Sequence, residues 1–108
     1  MDAVDLSEEH ESGNTGDTTI EVVDREEVVR TARVLIIEAT FVGDHPTVED
    51  ARSRGHIHLD EIAERAALFE NEELVLGHFS TRYSKGRIRD EVRKALPDAL
   101  WRRTKLLL

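Results

Sequence analysis

Two apolar runs constrain the fold of this chain more than any other feature. Residues 34–37 (VLII) and 74–76 (LVL) are continuous stretches of large apolar residues, without the alternation of a strand that has one solvent-exposed face. Such runs are typical of strands that are buried on both faces of a sheet covered by helices. Because helical patterns precede, separate and follow the two runs, we predict an α/β protein with parallel neighbouring strands.

The segments around the two strands carry helical signals. Short helices are predicted for residues 24–31 and 47–53, and longer ones for 59–69 and 84–96, where apolar residues recur every three to four positions. Pro97 ends the last of them. A sheet of only two recognisable strands would have open edges, which folded proteins normally cover. The pattern therefore predicts part of a layered sandwich.

The composition limits the chemistry and the location of the chain. It has 108 residues, a formal net charge of -8 and no cysteine, so any metal must be bound by His, Asp or Glu. Residues 1–14 are acidic and poor in apolar side chains, and we expect a disordered leader there and one partial domain over residues 15–108. Neither a signal peptide nor a membrane span is recognisable, so a cytoplasmic location away from membranes is expected.

Positive charge is concentrated at the other end of the sequence, from Arg82 to Lys105. A basic C-terminal third is suited to a phosphate backbone and could contact RNA. Alternatively, these basic residues form a solvent-exposed helix face, and their positive charge offsets the negative charge of the acidic N-terminal residues. The sequence leaves both interpretations open.

The segment GHIHLDE, residues 55–61, has two histidines and two carboxylates and comes close to the HxHxDH signature of dinuclear metallohydrolases. The preceding residues, ARSR, are not the buried strand that delivers such ligands. Asp60 and Glu61 are explained by the first turn of a helix, where carboxylates interact favourably with the helix dipole. We therefore predict no complete metal site here; His56 remains a candidate functional residue, and His58 has no assigned role.

Polar residues follow each predicted strand. Glu38 and Thr40 end the first strand, and His78 directly follows the second. In open α/β sheets, ligands gather at the carboxyl ends of the strands, so these side chains are expected to lie at one edge.

Four motifs, in this order, resemble ribonuclease Z-type proteins of the metallo-β-lactamase superfamily: TGDTT, LIIEATF, RGHIHLDEIAERAA and LGHFSTRYS. The resemblance implies the C-terminal half of a metallo-β-lactamase-type αββα sandwich, and a zinc-dependent phosphodiesterase of the RNA or tRNA 3′ processing type. It implies that Asp17 bridges the metal ions and that His78 is a ligand of one of them. Glu38 and His56 match a glutamate and a histidine that form a catalytic pair at the scissile phosphate.

The sequence also departs from the family pattern. Ile37 replaces the histidine of HEAT, Ile57 and His58 replace Ser-Thr of GHST, and Gly77 replaces the threonine of LTHFS. The family's HxHxDH motif and its next ligand histidine do not occur in these residues. We therefore expect weak metal binding and no hydrolysis by this chain alone, with a missing N-terminal half-domain or a second copy as partner. The alternative is a non-catalytic remnant or interaction module.

Overall fold

The computed structural model describes residues 3–6 and 20–108. Within these residues short helices alternate with short strands along the chain. The elements are β1 (Ala3–Asp5), α1 (Glu21–Arg25), α2 (Glu27–Thr31), β2 (Val34–Glu38), α3 (Val48–Ser53), α4 (Leu59–Glu64), a 3-10 turn (Ala66–Leu68), β3 (Glu73–Gly77), α5 (Lys85–Ala95), α6 (Asp98–Trp101) and β4 (Thr104–Leu106).

The strands form one parallel sheet of four strands in the order β1-β2-β3-β4. Each connection leads to the adjacent strand, always in the same direction across the sheet. Crossovers between parallel strands are normally right-handed, so connections that all run in one direction place the connecting helices on one face of the sheet. The predicted α/β class with parallel neighbouring strands is confirmed.

The two faces of the sheet differ in burial. Side chains of β2 and β3 on one face are fully buried in a single core with the helices: Leu35, Ile37, Leu74 and Leu76. On the other face, Val34, Ile36 and Val75 are only partly buried and lie outside this core. We call these three side chains the open face, because they are more exposed than the core residues and do not belong to the core cluster of the described residues. The expectation that both faces would be buried is therefore wrong for this chain by itself.

One sheet with helices on one face corresponds to half of an αββα sandwich, in which two such sheets pack against each other. The structure is thus consistent with a fragment of the metallo-β-lactamase fold. No helix in residues 3–6 and 20–108 is long and apolar enough to cross a membrane. The cytoplasmic location stays a prediction.

Two edge strands were not expected from the sequence. β1 lies in the segment predicted as a disordered leader, so that prediction is wrong for residues 3–5, and residues 7–14 lie outside the described part of the chain. β4 lies in the C-terminal segment that ends in KLLL. Each has only three residues, too few for a periodic pattern to be recognised. Together they flank β2 and β3 and cover the edges that a two-stranded sheet would leave open.

The helix boundaries are close to the predicted ones, with two differences. The helix predicted for residues 24–31 is two helices, because Glu26 is extended, with φ -111° and ψ 108°. The helix predicted for residues 59–69 ends at Glu64 and continues as the 3-10 turn. Helix α5 agrees with prediction, and the Ser84 side chain caps it by accepting a hydrogen bond from the Arg87 amide at 3.0 Å.

We expect substitutions on the two faces of β3 to have different costs. Leu76→Ala should lower the free energy of unfolding by about 2–5 kcal/mol, because it leaves a cavity between sheet and helices. Val75→Ala, which likewise truncates the side chain to a methyl group on the open face, should cost less, at most about 1.5 kcal/mol, because this side chain is already partly exposed. Urea denaturation followed by circular dichroism measures both values. Equal losses would show that both faces are covered.

Candidate active site

The pairing of β2 with β3 brings the polar ends of both strands together. Glu38 is in register with Gly77, and the Ala39 amide donates a hydrogen bond to the Gly77 carbonyl at 2.9 Å. Beyond the strands, the Ser80 amide donates to the Thr40 carbonyl at 2.9 Å. The segments that carry Glu38 and His78 are therefore held side by side at the carboxyl edge of the sheet, as expected for a ligand site in this class of fold.

The buried carboxylate of Glu38 is the centre of the site. Its Oε2 atom accepts hydrogen bonds from the Thr40 hydroxyl at 2.5 Å and the Ile57 amide at 3.3 Å, and lies 3.1 Å from His56 Nδ1. One oxygen thus joins the end of β2 to the loop before α4. Because an ionised carboxylate only accepts hydrogen bonds, His56 must carry its proton on Nδ1.

In this tautomer the other ring nitrogen of His56, Nε2, has no hydrogen-bond partner among residues 3–6 and 20–108. The His56 side chain is 36% exposed, whereas Glu38 is buried behind it. An imidazole held through Nδ1 presents Nε2 to whatever occupies the surface, either as an acceptor or, once protonated, as a donor. The arrangement therefore suits proton transfer or the stabilisation of negative charge at an exposed position.

The buried ring of Phe41 contacts His56 and two arginines. The Arg82 guanidinium lies 5.3 Å from the ring centroid and that of Arg54 6.0 Å from it, while the His56 ring meets Phe41 edge-on with centroids 5.7 Å apart. We call this group the Phe41 platform. Phe41 and Arg54 were not predicted as site residues. The only available signal was the position of Arg54 two residues before His56.

His58, which had no assigned role, is a buried structural residue. Its Nδ1 accepts a hydrogen bond from the Asp60 amide at 2.9 Å, so it caps α4, and its Nε2 donates to the Gly43 carbonyl at 2.9 Å. Both contacts are satisfied by one neutral tautomer with the proton on Nε2. His58 thereby ties the loop that carries His56 to the loop that follows Phe41.

Glu61 completes the capping box of α4. One of its oxygens accepts from the His58 amide at 3.1 Å, and the other accepts from Arg52 Nη1 at 2.6 Å. Arg52 also contacts Glu21 at 2.7 Å, and hydrogen bonds with Glu21 and then Glu61 raise the pKa of Arg52. The cation compensates the burial of Glu61. Glu61 thus lies in the first turn of α4, as predicted, and has structural contacts that the sequence did not predict.

His78 lies in an unusual backbone conformation. It directly follows β3, its side chain is exposed, and its φ angle is +60°. Residues other than glycine seldom adopt positive φ, and such strain concentrates at functional sites. The exposed imidazole is available to a ligand, but its role as a metal ligand stays a prediction.

The described residues do not form a metal site by themselves. Asp17, the predicted bridging ligand, lies outside the described part of the chain. Among residues 3–6 and 20–108, no three His, Asp or Glu side chains come together in a way that could hold a metal ion. Zinc sites need three or four protein ligands, so His78 alone does not provide one.

Three curated proteins are similar in sequence to this chain. tRNase Z TRZ1 of Arabidopsis thaliana is 48% identical over 88 residues, which are 80% of this chain and 31% of that protein. The chloroplastic tRNase Z TRZ2 of the same plant is 40% identical over 82 residues, 74% of this chain and 23% of its own length. Ribonuclease Z of Chlamydia trachomatis is 36% identical over 58 residues, 54% of this chain and 18% of its own length. No family model matches.

The sequence is homologous to part of ribonuclease Z. The resemblance inferred from the four motifs is thus confirmed. The chain spans less than a third of the length of these curated relatives.

Two positions of the ribonuclease Z motifs have structural explanations here. A Cβ atom at Gly77 would lie 3.3 Å from a methyl carbon of Leu107. The Leu107 side chain therefore occupies the space that a side chain at position 77 would need. The Tyr83 hydroxyl donates to the His45 carbonyl at 3.1 Å and accepts from the Val42 amide at 3.3 Å. Tyr83 therefore holds the loop that follows the Phe41 platform.

We expect His58→Ala to lower the free energy of unfolding by about 2–4 kcal/mol, because the α4 cap is lost and the Gly43 carbonyl loses its donor. His58→Thr should cost about half as much, since its hydroxyl can cap the helix but is too short to reach Gly43. Chemical denaturation of the two variants provides the comparison. Equal costs would mean that the cap contributes nothing.

His78→Gly should leave the free energy of unfolding unchanged or raise it by up to about 1 kcal/mol, because glycine adopts positive φ without a steric penalty. His78→Val should lower it by at least about 1 kcal/mol, since a β-branched residue is least compatible with that conformation. Thermal unfolding of both variants tests this. Equal free energies of unfolding for the valine and glycine variants would show that the backbone at position 78 is not strained.

Proposed function

We propose that this chain supplies one part of a metallo-β-lactamase-type hydrolase of the ribonuclease Z kind, a metal-dependent phosphodiesterase that acts on RNA. His56 and Glu38 form its catalytic pair, and Asp17 and His78 are the zinc ligands that this chain contributes. The remaining ligands come from segments that the curated relatives contain in addition to the matched region. Alone, the chain is expected to be inactive.

The contact between His56 and Glu38 carries this proposal. At 3.1 Å, the carboxylate orients the imidazole, whose side chain is 36% exposed. A protonated Nε2 can donate to a phosphate oxygen, which stabilises developing negative charge or protonates the leaving oxygen.

The surroundings of His56 favour a phosphate group as the ligand. The guanidinium groups of Arg54 and Arg82 contact the same Phe41 ring that the imidazole meets edge-on. Guanidinium groups bind phosphate oxygens through paired donors and remain charged at all relevant pH values. Positive charge next to a general acid suits a phosphodiester better than a neutral ester.

The proposal is tested by producing the chain together with the remaining part of a ribonuclease Z relative and assaying cleavage of a labelled tRNA precursor with zinc. Glu38→Gln and His56→Ala should each reduce kcat by about a hundredfold to ten-thousandfold. The kcat of the double variant should be no lower than that of the less active single variant, because the two residues act as a unit.

His45→Ala is the matched control, since it removes another exposed imidazole from a neighbouring loop. It should keep full activity. An effect of His56→Ala no larger than that of His45→Ala would rule out the catalytic pair.

A second candidate function is a non-catalytic interaction module. The open face favours it, because Val34, Ile36 and Val75 are apolar, only partly buried and outside the core cluster of the described residues. Light scattering after size-exclusion chromatography distinguishes the two functions. A stable, metal-free monomer or homodimer favours the module, whereas a chain recovered only together with an N-terminal half-domain favours the hydrolase.

A further inference from the structure

Helix α5 carries a line of positive charge on one flank. Lys85, Arg89 and Arg93 are spaced by four residues, so their side chains lie one above the other along about 12 Å of the helix. All three are exposed, whereas Ile88 and Val92 on the neighbouring face are buried in the core. We call these three residues the α5 ridge.

Within the described residues, the α5 ridge lacks the carboxylate partners that three nearby cations have. Arg87 pairs with Glu91 at 3.5 Å, Arg102 with Asp98 at 3.3 Å, and Lys105 with Glu73 at 3.2 Å. Within the described part of the chain, none of the three ridge residues forms such an ion pair. In a chain with a net charge of -8, this flank is therefore a local site for a polyanion.

An aromatic side chain lies at the far end of the ridge. The Arg93 guanidinium is 5.4 Å from the ring centroid of Trp101, which is half-buried at the end of α6. Proteins that bind single-stranded nucleic acids combine cations along the backbone with aromatic rings on which bases stack. The ridge and Trp101 have both components.

A membrane surface fits this flank less well. A basic helix that binds lipid buries its apolar face among acyl chains, but the apolar face of α5 is already packed in the protein core. A flexible polyanion needs only the exposed charges. The ridge also begins three residues after Arg82, whose guanidinium belongs to the Phe41 platform.

We propose that the α5 ridge and Trp101 bind the backbone and a base of a single-stranded RNA segment that continues from the phosphate at His56. This inference rests on the proposed function for its choice of RNA. It assigns to α5 a substrate contact that is separate from the catalytic pair.

The test uses the 108-residue chain and a fluorescein-labelled single-stranded RNA of about twelve nucleotides, a length within the usual range for one binding module. The combined variant Lys85→Gln, Arg89→Gln and Arg93→Gln should weaken binding about tenfold or more. It should also reduce the slope of log affinity against log salt by about 2, which is three phosphate contacts at about 0.7 each.

The matched control replaces three paired cations by glutamine, at Arg87, Arg102 and Lys105, and changes the net charge by the same amount. It should weaken binding less than about threefold. Unchanged circular dichroism and thermal midpoints verify that both variants fold. Equal weakening by ridge and control variants would overturn the proposal, as would no RNA binding by the parent chain.

Trp101 reports on the same event, because it is the single tryptophan of the chain. RNA should quench its fluorescence in the parent and in the control variant, but not in the ridge variant. Ridge-dependent binding of anionic phospholipid vesicles, with no response to RNA, would instead assign the surface to lipid and overturn the proposal.

The cleavage assay separates this proposal from the proposed function. Ridge-dependent RNA binding without cleavage by the assembled protein would refute the catalytic pair and leave the ridge intact. Cleavage that is sensitive to His56→Ala but insensitive to the ridge variant would refute the ridge alone.

Discussion

The parallel pairing of β2 with β3 determines where every polar side chain of the candidate site can lie. Its register places Glu38 opposite Gly77, so that both strands end at the same level. The chain then leaves the sheet in two adjacent loops, one with Thr40 and Phe41 and the other with His78 and Arg82. Glu38 Oε2 adds the third loop by accepting from the Ile57 amide. Contacts that are distant in sequence thus depend on one strand pairing.

The one-sided sheet connects fold and function. Helices pack on the face that contains Leu35 and Leu76, while the open face keeps Val75 and its neighbours partly exposed. A strand with apolar residues at every position is typical of a sheet that is buried on both faces, which requires a second layer on the other face. The metal site is incomplete in the same way, because the described residues do not combine His78 with two further side chains that could bind a metal ion. A second layer would supply cover for the sheet and could supply ligands for the site.

The sequence predicted the features that have strong local signals. The long apolar runs indicated β2 and β3, and Ser84 indicated the start of α5. β1 and β4 were missed because a three-residue strand has no period to detect and depends on its neighbour for hydrogen bonds. Within the site, proximity of His56 to Glu38 followed from motif resemblance. The Phe41 platform did not, since it arises where three loops meet and no spacing encodes it.

The two histidines of GHIHLDE show why residue type alone could not identify a metal site there. A metal ligand needs a free lone pair on nitrogen. His58 has none, because Nδ1 accepts from the Asp60 amide and Nε2 donates to Gly43. Glu61 is similarly occupied by Arg52 and by the His58 amide. Of the two histidines only His56 has a second ring nitrogen without a hydrogen bond among the described residues, and the exposed Asp60 carboxylate alone does not make a metal site with it. The hydrogen bonds therefore divide the segment into a histidine that is used structurally and a half-exposed histidine that is held by Glu38.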